Sequence, residues 1–366
     1  MIMKKTSLKT RIARSLLGLA MATGLSQAKD LVLTAQGSMA IGGTVRLDTG
    51  TFDPILQGAY NPNGVDSKGQ SFHGDHAYVF YQVPRAKRKL PLVFWHGHGQ
   101  SSKTWETTPD GREGFQNIFL RRDYAVYLVD QPRRGKASRS MEPVTIPAVS
   151  DEQLWFGIMR LGVWPDFYPG VQFSRDPKAL DQFFRQAVPN SGPYNPSVNI
   201  AAFSALFDTI GDGILVTHSQ SGGPGWATAM KNPHVKAVVA MEPGGDFPFP
   251  EGEKVDPIVL SGRTIPAQII PLEQFKALTR IPIVVYYGDN IPDTLSQNPG
   301  KEQWRQFLLA ARRWQAVVNK HGGDVQVVHL PEIGIKGNTH MLMSDLNNAR
   351  IADHIAEWLK AKGLDK

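Results

Sequence analysis

The sequence predicts an α/β fold with a mostly parallel central sheet that helices cover on both faces. Six short apolar runs with few charges are mostly separated by segments of helical period, and such runs are typical of parallel strands buried on both faces. They lie at residues 92–95, 125–129, 214–216, 235–241, 283–287 and 325–330. Earlier β-branched or aromatic runs at 31–34, 44–47 and 77–83 predict an antiparallel N-terminal lead-in.

Residues 141–200 interrupt this alternation with an irregular, Pro-rich segment that is unusually aromatic. Eight aromatic residues lie between Asp151 and Phe184, where the chain average of 9% gives about three. The segment is either an ordinary packed insertion or, as we favour, a cap over an apolar pocket at the carboxyl ends of the strands. We expect residues 29–140 and 201–366 to form the two halves of the core, ending in a helix over 346–362.

Residues 1–28 have the composition of a secretory signal peptide. Five basic residues and no acidic one precede an apolar run at 16–25 and Ser26-Gln27-Ala28, a small-x-small cleavage site. The apolar run is about 10 residues long, whereas a membrane-spanning helix needs roughly 20. We therefore expect cleavage near residue 28, no stable membrane anchor afterwards, and a periplasmic or secreted protein.

The overall composition excludes several classes of protein. With 366 residues, 41% hydrophobic and 20% charged, the chain is typical of globular rather than disordered proteins. Five of its seven net positive charges are in the predicted leader, so about +2 is left and we expect no nucleic-acid partner. The absence of cysteine excludes disulfides, a Cys nucleophile and Cys-ligated zinc.

The sharpest local pattern is a strand that turns abruptly through a serine into small residues and a helix, at residues 214–223 (ILVTHSQSGG). This pattern indicates a nucleophile elbow, in which a strained turn lifts a serine hydroxyl above the sheet edge. Small residues stand two positions before and after Ser219, although the literal G-x-S-x-G pattern is absent. The alternatives are an ordinary turn and a frame centred on Ser221, which stands two residues further from the apolar run.

A serine nucleophile needs a base within hydrogen-bond reach and an acid that orients the base. His340 follows the last predicted strand in a loop before the final helix, the place that the chain order Ser, acid, His gives the base. Two strand ends offer the acid, and the residue pattern leaves them equal. Glu242 follows one strand, whereas Asp289 and Asp293 follow the next.

A turn that would form an oxyanion hole follows the strand at 92–95, in residues 96–100 (HGHGQ). The backbone N–H groups of His98 and Gln220 would converge there on a developing oxyanion. As an alternative, His96 and His98 would form a metal pair, but no third ligand stands at a useful spacing. We expect neither a metal nor a cofactor.

Together with residues 130–135 (DQPRRG), these motifs resemble the α/β-hydrolase superfamily. More narrowly, residues 105–112 (WETTPDGR), 217–222 (THSQSG) and 337–341 (GNTHM) are similar to a small group of secreted bacterial serine esterases. The triad acid of that group is a glutamate after the sixth core strand, followed by Pro-Gly. Glu242-Pro243-Gly244 matches it, so the resemblance implies Glu242 as the acid. The group has adjacent cysteines where this chain has His98-Gly99, so a feature that would stiffen the loop is missing.

The expected function is that of an exported carboxylic-ester hydrolase. Ser219 would attack the ester carbonyl, His340 would take and return its proton, and Glu242 would orient the imidazole. The near-neutral charge and the aromatic cap favour a neutral, partly apolar acyl or aryl ester. The alternatives are an amidase, peptidase or lactonase with the same triad, and an exported binding module without catalysis.

Overall fold

The structure, a computed structural model, describes residues 30–48, 70–260 and 263–366, so the predicted signal peptide lies outside the described residues. The strands are β1 (Leu33–Asp48), β2 (Gln70–Pro84), β3 (Leu92–Trp95), β4 (Val126–Asp130), β5 (Gly162–Val163), β6 (Asp166–Phe167), β7 (Gly213–His218), β8 (Val235–Met241), β9 (Pro248–Pro250), β10 (Ile258–Leu260), β11 (Arg263–Ile265), β12 (Gln268–Ile270), β13 (Pro282–Tyr287) and β14 (Asp324–His329). The helices are α1 (Phe115–Leu120), α2 (Glu152–Ile158), α3 (Pro177–Arg185), α4 (Pro196–Ile210), α5 (Gly222–Lys231), α6 (Leu272–Phe275), α7 (Pro299–Lys320) and α8 (Asn348–Ala361).

Eight strands form one sheet in the order β1-β2-β4-β3-β7-β8-β13-β14. In this order, every neighbouring pair from β4 to β14 is parallel. The pairs β1 with β2 and β2 with β4 are antiparallel. The six apolar runs predicted as core strands all form strands of this sheet, and their ends agree within two residues. The mostly parallel sheet and its antiparallel lead-in are therefore as predicted.

The lead-in differs from the prediction in one respect. The runs at 31–34 and 44–47 were expected to be separate strands, but the end of the first run, residues 33–34, and the whole of the second belong to the single strand β1. Its register with β2 continues from the pair Gly42 and His76 to the pair Thr44 and Gly74. Gly42 and Gly43 have φ values of +67° and +88°, a conformation that glycine adopts without steric cost. The glycines therefore lie within the strand and do not end it.

Consecutive residues of β3 show how helices cover both faces of the sheet. Phe94 packs against Trp105 and Phe119, with ring centroids 5.0 and 6.0 Å apart, whereas Trp95 stacks on Phe203 of α4 at 3.6 Å. Successive strand residues point to opposite faces. Helix α8 packs against α1, and α5 against α4. Since neither face meets solvent, all four residues of β3 are buried and apolar.

The segment between β4 and β7 contains the aromatic region noted in the sequence. Phe156 lies 5.0 Å from Phe167 and 5.3 Å from Trp164 between ring centroids, so the segment packs partly on itself. The predicted cap boundaries, 141 and 200, stay a prediction, and α4 begins within that range, at Pro196. In the part of the chain that the structure describes, no helix is both long and apolar enough to cross a membrane.

Candidate active site

The carboxyl ends of parallel strands lie at one edge of the sheet, and the predicted site residues follow these ends. Strand β3 leads into residues 96–100, which we call the oxyanion loop. Strand β7 leads into Ser219, β8 into Glu242 and β13 into Asp289, while His340 lies in the loop after β14. Because β3, β7, β8, β13 and β14 are adjacent in the sheet, the topology collects all these loops in one place.

Ser219 occupies a strained turn directly after β7. Its φ of +55° lies in the left-handed region, which residues other than glycine rarely adopt. Ser221, the alternative centre of the elbow, has an ordinary helical φ of −74°. The Ser221 side chain is buried, and its Oγ lies 3.0 Å from the Trp95 carbonyl oxygen and accepts the His218 N–H at 2.9 Å. The strain is therefore at Ser219, and the Ser221 hydroxyl is already engaged.

Glycines allow neighbouring backbone segments to approach the elbow. A Cβ at Gly97 would stand 2.8 Å from the Ser219 Cβ, which is closer than real Cβ atoms come to other atoms. A Cβ at Gly225, in the helix after the elbow, would stand 2.7 Å from Cγ2 of Thr217. The oxyanion loop and α5 therefore pack closely around the serine only because these positions lack side chains.

A buried hydrogen bond connects the candidate base and acid. The His340 Nδ1 lies 3.2 Å from the Glu242 Oε2, and both side chains are fully buried. The other carboxylate oxygen, Oε1, accepts from Arg160 Nη2 at 2.6 Å and from the backbone N–H of Gly288. Burial raises the pKa of Glu242, but Arg160 and His340 outweigh burial and lower this pKa to about 2. Glu242 is therefore a fixed anion at neutral pH.

The environment of His340 keeps the imidazole neutral. Burial lowers its pKa, Glu242 raises it and Arg160 lowers it, with a net lowering below the usual histidine value. The Trp304 ring packs against both His340 and Arg160. Its centroid lies 4.4 Å from the centroid of the His340 ring and 4.8 Å from the Arg160 guanidinium carbon. A neutral imidazole whose Nδ1 faces a carboxylate has its other nitrogen, Nε2, free to accept a proton.

The two aspartates that competed with Glu242 lie elsewhere. Asp289 is half-buried, and its Oδ2 accepts the Gly337 N–H at 2.7 Å while its Oδ1 accepts the N–H of Asn290 at 2.6 Å. Its carboxylate thus braces the loop that carries His340. Asp293 is exposed. Of the three candidates, the structure brings Glu242 next to the imidazole.

His218, which the sequence analysis did not single out, lies between the two loops on either side of Ser219. Its Nε2 donates to the carbonyl oxygen of His340 at 2.8 Å, and its Nδ1 lies 3.1 Å from the Gln100 Oε1. The rings of His218 and His340 are 4.6 Å apart between centroids. Burial lowers the pKa of His218 well below its usual value. The residue directly before the serine therefore lies between the oxyanion loop and the histidine loop, and it is hydrogen-bonded to the histidine loop.

The two predicted oxyanion donors lie on adjacent segments. Gln220 follows the elbow, and its Nε2 is 3.4 Å from Nδ1 of His98 in the oxyanion loop. His96 uses both ring nitrogens, since Nδ1 donates to the Gly97 carbonyl oxygen at 2.9 Å and Nε2 accepts the Gln131 N–H at 3.3 Å. His96 therefore has no free lone pair for a metal. Nowhere in residues 30–48, 70–260 and 263–366 do three or more metal-binding side chains cluster.

Arg160 is a residue of the site that the sequence analysis missed. Its side chain is 1% exposed, its Nη2 pairs with Glu242, and its Nε donates to the Asp289 carbonyl oxygen at 2.8 Å. The sequence carries one signal of this role, a lone arginine among apolar residues at 156–163 (FGIMRLGV). A charge in such a setting needs a buried partner.

A cavity of about 650 Å³ opens beside the site. Its walls are mainly apolar and come largely from residues 145–190, including Trp155, Phe183 and Phe184. His98 and Met341, which follows His340, form part of the wall, whereas Ser219 and His340 themselves do not line the cavity. The aromatic segment therefore encloses a space that reaches the site at the oxyanion loop and the histidine loop.

Comparisons with known proteins agree with this architecture. A family model described as "Alpha/beta hydrolase family" matches residues 92–362, which are more than half of the chain. The "Probable secreted lipase phiG" of a fungus, Fungal sp. (strain ATCC 74256), is 30% identical over 311 residues, which are 77% of this chain and 85% of the fungal protein. A solved structure of "a Novel Bacterial Esterase" is 30% identical with a TM-score of 0.72, covering 91% of this chain and 98% of that one.

We expect the Arg160–Glu242 pair to be strongly coupled in its effect on stability. Arg160→Met leaves a buried carboxylate without its cation and should lower the free energy of unfolding by about 3–5 kcal/mol. The double variant Arg160→Met with Glu242→Gln removes both charges and should lose less than the sum of the single variants. Urea unfolding at pH 7 measures the free energy of unfolding of the wild type, Arg160→Met, Glu242→Gln and the double variant. Additive losses would show that the two side chains do not interact.

Proposed function

Since this chain belongs to the α/β-hydrolase family, we propose that it hydrolyses carboxylic esters with Ser219, His340 and Glu242 as its catalytic triad. An esterase or lipase type of hydrolase is supported by the two relatives that are 30% identical. The observation that carries the finer assignment is the buried Glu242–His340 pair, with the strained Ser219 on the neighbouring strand end. In the first step, the Ser219 Oγ attacks the ester carbonyl carbon while the His340 Nε2 takes the hydroxyl proton.

Glu242 stabilises the imidazolium that forms in this step. Its carboxylate holds the Nδ1–H of His340 and so keeps Nε2 directed away from the acid. The imidazolium then gives its proton to the leaving alkoxide, which departs as the alcohol and leaves an acyl-enzyme. A water molecule attacks the acyl carbon, again with His340 as base, and the carboxylic acid leaves as Ser219 recovers its proton.

The backbone N–H groups of His98 and Gln220 complete the proposed mechanism. In each tetrahedral intermediate the former carbonyl oxygen carries a negative charge, and these two donors would stabilise it. Gln220 follows the nucleophile and lies in the first turn of the helical segment that begins at Ser219, where the dipole favours an anion. The oxyanion loop supplies the second donor from β3.

The cavity supports a neutral, partly apolar ester as the substrate class. Trp155, Phe183 and Phe184 offer aromatic surface to an acyl or aryl group, and Asp151 and Glu152 at the same wall disfavour an anionic substrate. We further propose that the protein is exported. The basic and apolar N-terminal sequence supports export, as does the fungal relative, whose name describes it as secreted.

We expect a serine-directed organophosphate to form a single adduct, on Ser219, with loss of turnover of a short aryl ester. Intact mass and peptide mapping give the site, and Ser219→Ala should show neither adduct nor turnover. An adduct on Ser221 would show that the nucleophile is Ser221, two residues after Ser219. Wild-type protein without adduct and without turnover would instead support a binding module. If the adduct forms but only amides or lactones are hydrolysed in a substrate panel, the triad stands and the substrate class is wrong.

The identity of the acid is tested by a matched pair of substitutions. Glu242→Gln should lower kcat by orders of magnitude, because a neutral amide cannot stabilise the imidazolium. Asp289→Asn should change kcat little, since an amide oxygen still accepts the Gly337 N–H that Asp289 binds. Steady-state kinetics on an aryl ester measure kcat for both variants. The reverse pattern would assign the acid to Asp289.

The pH dependence of kcat/KM should report the lowered pKa of His340. The base acts only when neutral, so kcat/KM should decline as the pH falls, with the midpoint of the decline below 6.5, the usual histidine pKa. Glu242, with a pKa of about 2, stays ionised throughout this decline. Since Glu242 raises the pKa of His340, Glu242→Gln should move the decline to still lower pH. A wild-type midpoint above pH 6.5 would contradict the neutral, buried base.

A further inference from the structure

A second buried arginine, Arg134, lies against the backbone of the oxyanion loop. Its side chain is completely inaccessible to solvent, and within the described residues no carboxylate forms an ion pair with it. Burial lowers the pKa of Arg134 to about 10, so the guanidinium is still charged at neutral pH. A buried charge without a counter-ion is costly unless other polar groups satisfy it. The groups that do so here are carbonyl and amide oxygens.

Arg134 connects the oxyanion loop to the wall of the cavity. Its Nη1 donates to the carbonyl oxygens of Gly97 at 3.3 Å and Gln100 at 3.1 Å. Its Nε and Nη2 both donate to Oδ1 of Asn190, the Nε at 2.8 Å, and Asn190 lines the cavity. One guanidinium thus holds both ends of the turn that contains His98.

The contact with Gly97 determines where the N–H of His98 points. The Gly97 carbonyl and the His98 N–H belong to the same peptide unit, which is planar and trans, so the two groups point in opposite directions. The Gly97 oxygen accepts from Arg134 and from the His96 Nδ1 at 2.9 Å, which fills both of its lone pairs. With its carbonyl held from behind by two donors, the peptide cannot turn over without leaving a buried cation short of an acceptor.

We propose that Arg134 is a positioning residue for the oxyanion hole, acting through the Gly97–His98 peptide to hold the His98 N–H toward the reacting carbonyl. This inference rests on the proposed function. A cation at the carbonyl oxygen also polarises the peptide and makes its N–H a stronger donor, and the low-dielectric surroundings favour both effects. Since the oxyanion charge exists only in the transition state and the tetrahedral intermediates, Arg134 affects kcat rather than substrate binding.

Arg133 provides a matched control, because it is the adjacent residue, has the same side chain and is 3% exposed. Its guanidinium instead forms a bidentate pair with Asp75, at 2.8 and 2.7 Å, and contacts Glu142. Substitution by lysine keeps the positive charge of either arginine but removes its planar fork of donors. Arg133→Lys and Arg134→Lys should both lower Tm, so a loss of kcat confined to Arg134→Lys separates positioning from stability.

The test measures kcat and KM for a short aryl ester, and the inhibition constant of an aryl trifluoromethyl ketone, which forms a tetrahedral oxyanion on the serine. Arg134→Lys should lower kcat about 10-fold or more, within the roughly 10²–10³-fold loss typical of removing a whole oxyanion donor. KM should change little, and the ketone should bind weaker by a factor similar to the loss in kcat. Arg133→Lys should keep kcat and the inhibition constant of the ketone near the wild-type values.

Wild-type kcat and ketone affinity in Arg134→Lys would overturn the inference, and so would an equal loss of kcat in Arg133→Lys. If Arg134→Lys does not fold, Asn190→Ala takes its place, because it frees the guanidinium from the oxygen that orients it. This variant should lower kcat several-fold, and an unchanged kcat would equally overturn the inference. A wild-type protein that hydrolyses no ester refutes the proposed function itself, whereas an active wild type with an equally active Arg134→Lys variant refutes only the role of Arg134.

Discussion

The carboxylate of Glu242 is the group on which the geometry of the site depends, because a fully buried anion is stable only with its partners in place. Those partners come from three separate parts of the chain. Gly288 follows β13, Arg160 lies in the segment between β4 and β7, and His340 lies in the loop after β14. The backbone at Glu242 adopts a φ of +52°, which residues other than glycine rarely do. Strain and desolvation at one residue are thus offset by contacts that assemble the site.

Much of the fold could be predicted because its signals are local. Runs of apolar residues mark the buried strands, and the two candidates chosen by chain order, Ser219 and His340, lie after β7 and β14 as predicted. Pattern alone did not decide between Glu242 and Asp289, since both follow strands. Proximity to the imidazole is a tertiary property, since Glu242 and His340 are 98 positions apart in the sequence.

The roles of the two buried arginines were beyond such local signals. Arg160 meets Glu242 across 82 positions of sequence, and Arg134 meets Gly97 across 37. An arginine in a sequence is most often a solvated surface residue, and only burial and the identity of its acceptors give it a different meaning. One arginine stabilises the charge of the proposed acid, and the other holds the peptide of a proposed oxyanion donor. Each half of the proposed machinery therefore depends on a cation that takes no part in bond making.

The segment that carries Arg160 also forms a wall of the cavity, and this couples the shape of the cavity to the geometry of the proposed base. Three consecutive residues contact the site. The Ile158 carbonyl oxygen accepts from Trp304 Nε1 at 2.8 Å. The Met159 carbonyl oxygen accepts the backbone N–H of His340 at 2.8 Å, and the Arg160 side chain pairs with Glu242. The Met159 side chain itself lines the cavity. A displacement of this wall would therefore change the hydrogen bonds of His340 and Glu242, so the cavity cannot be remodelled independently of the proposed triad.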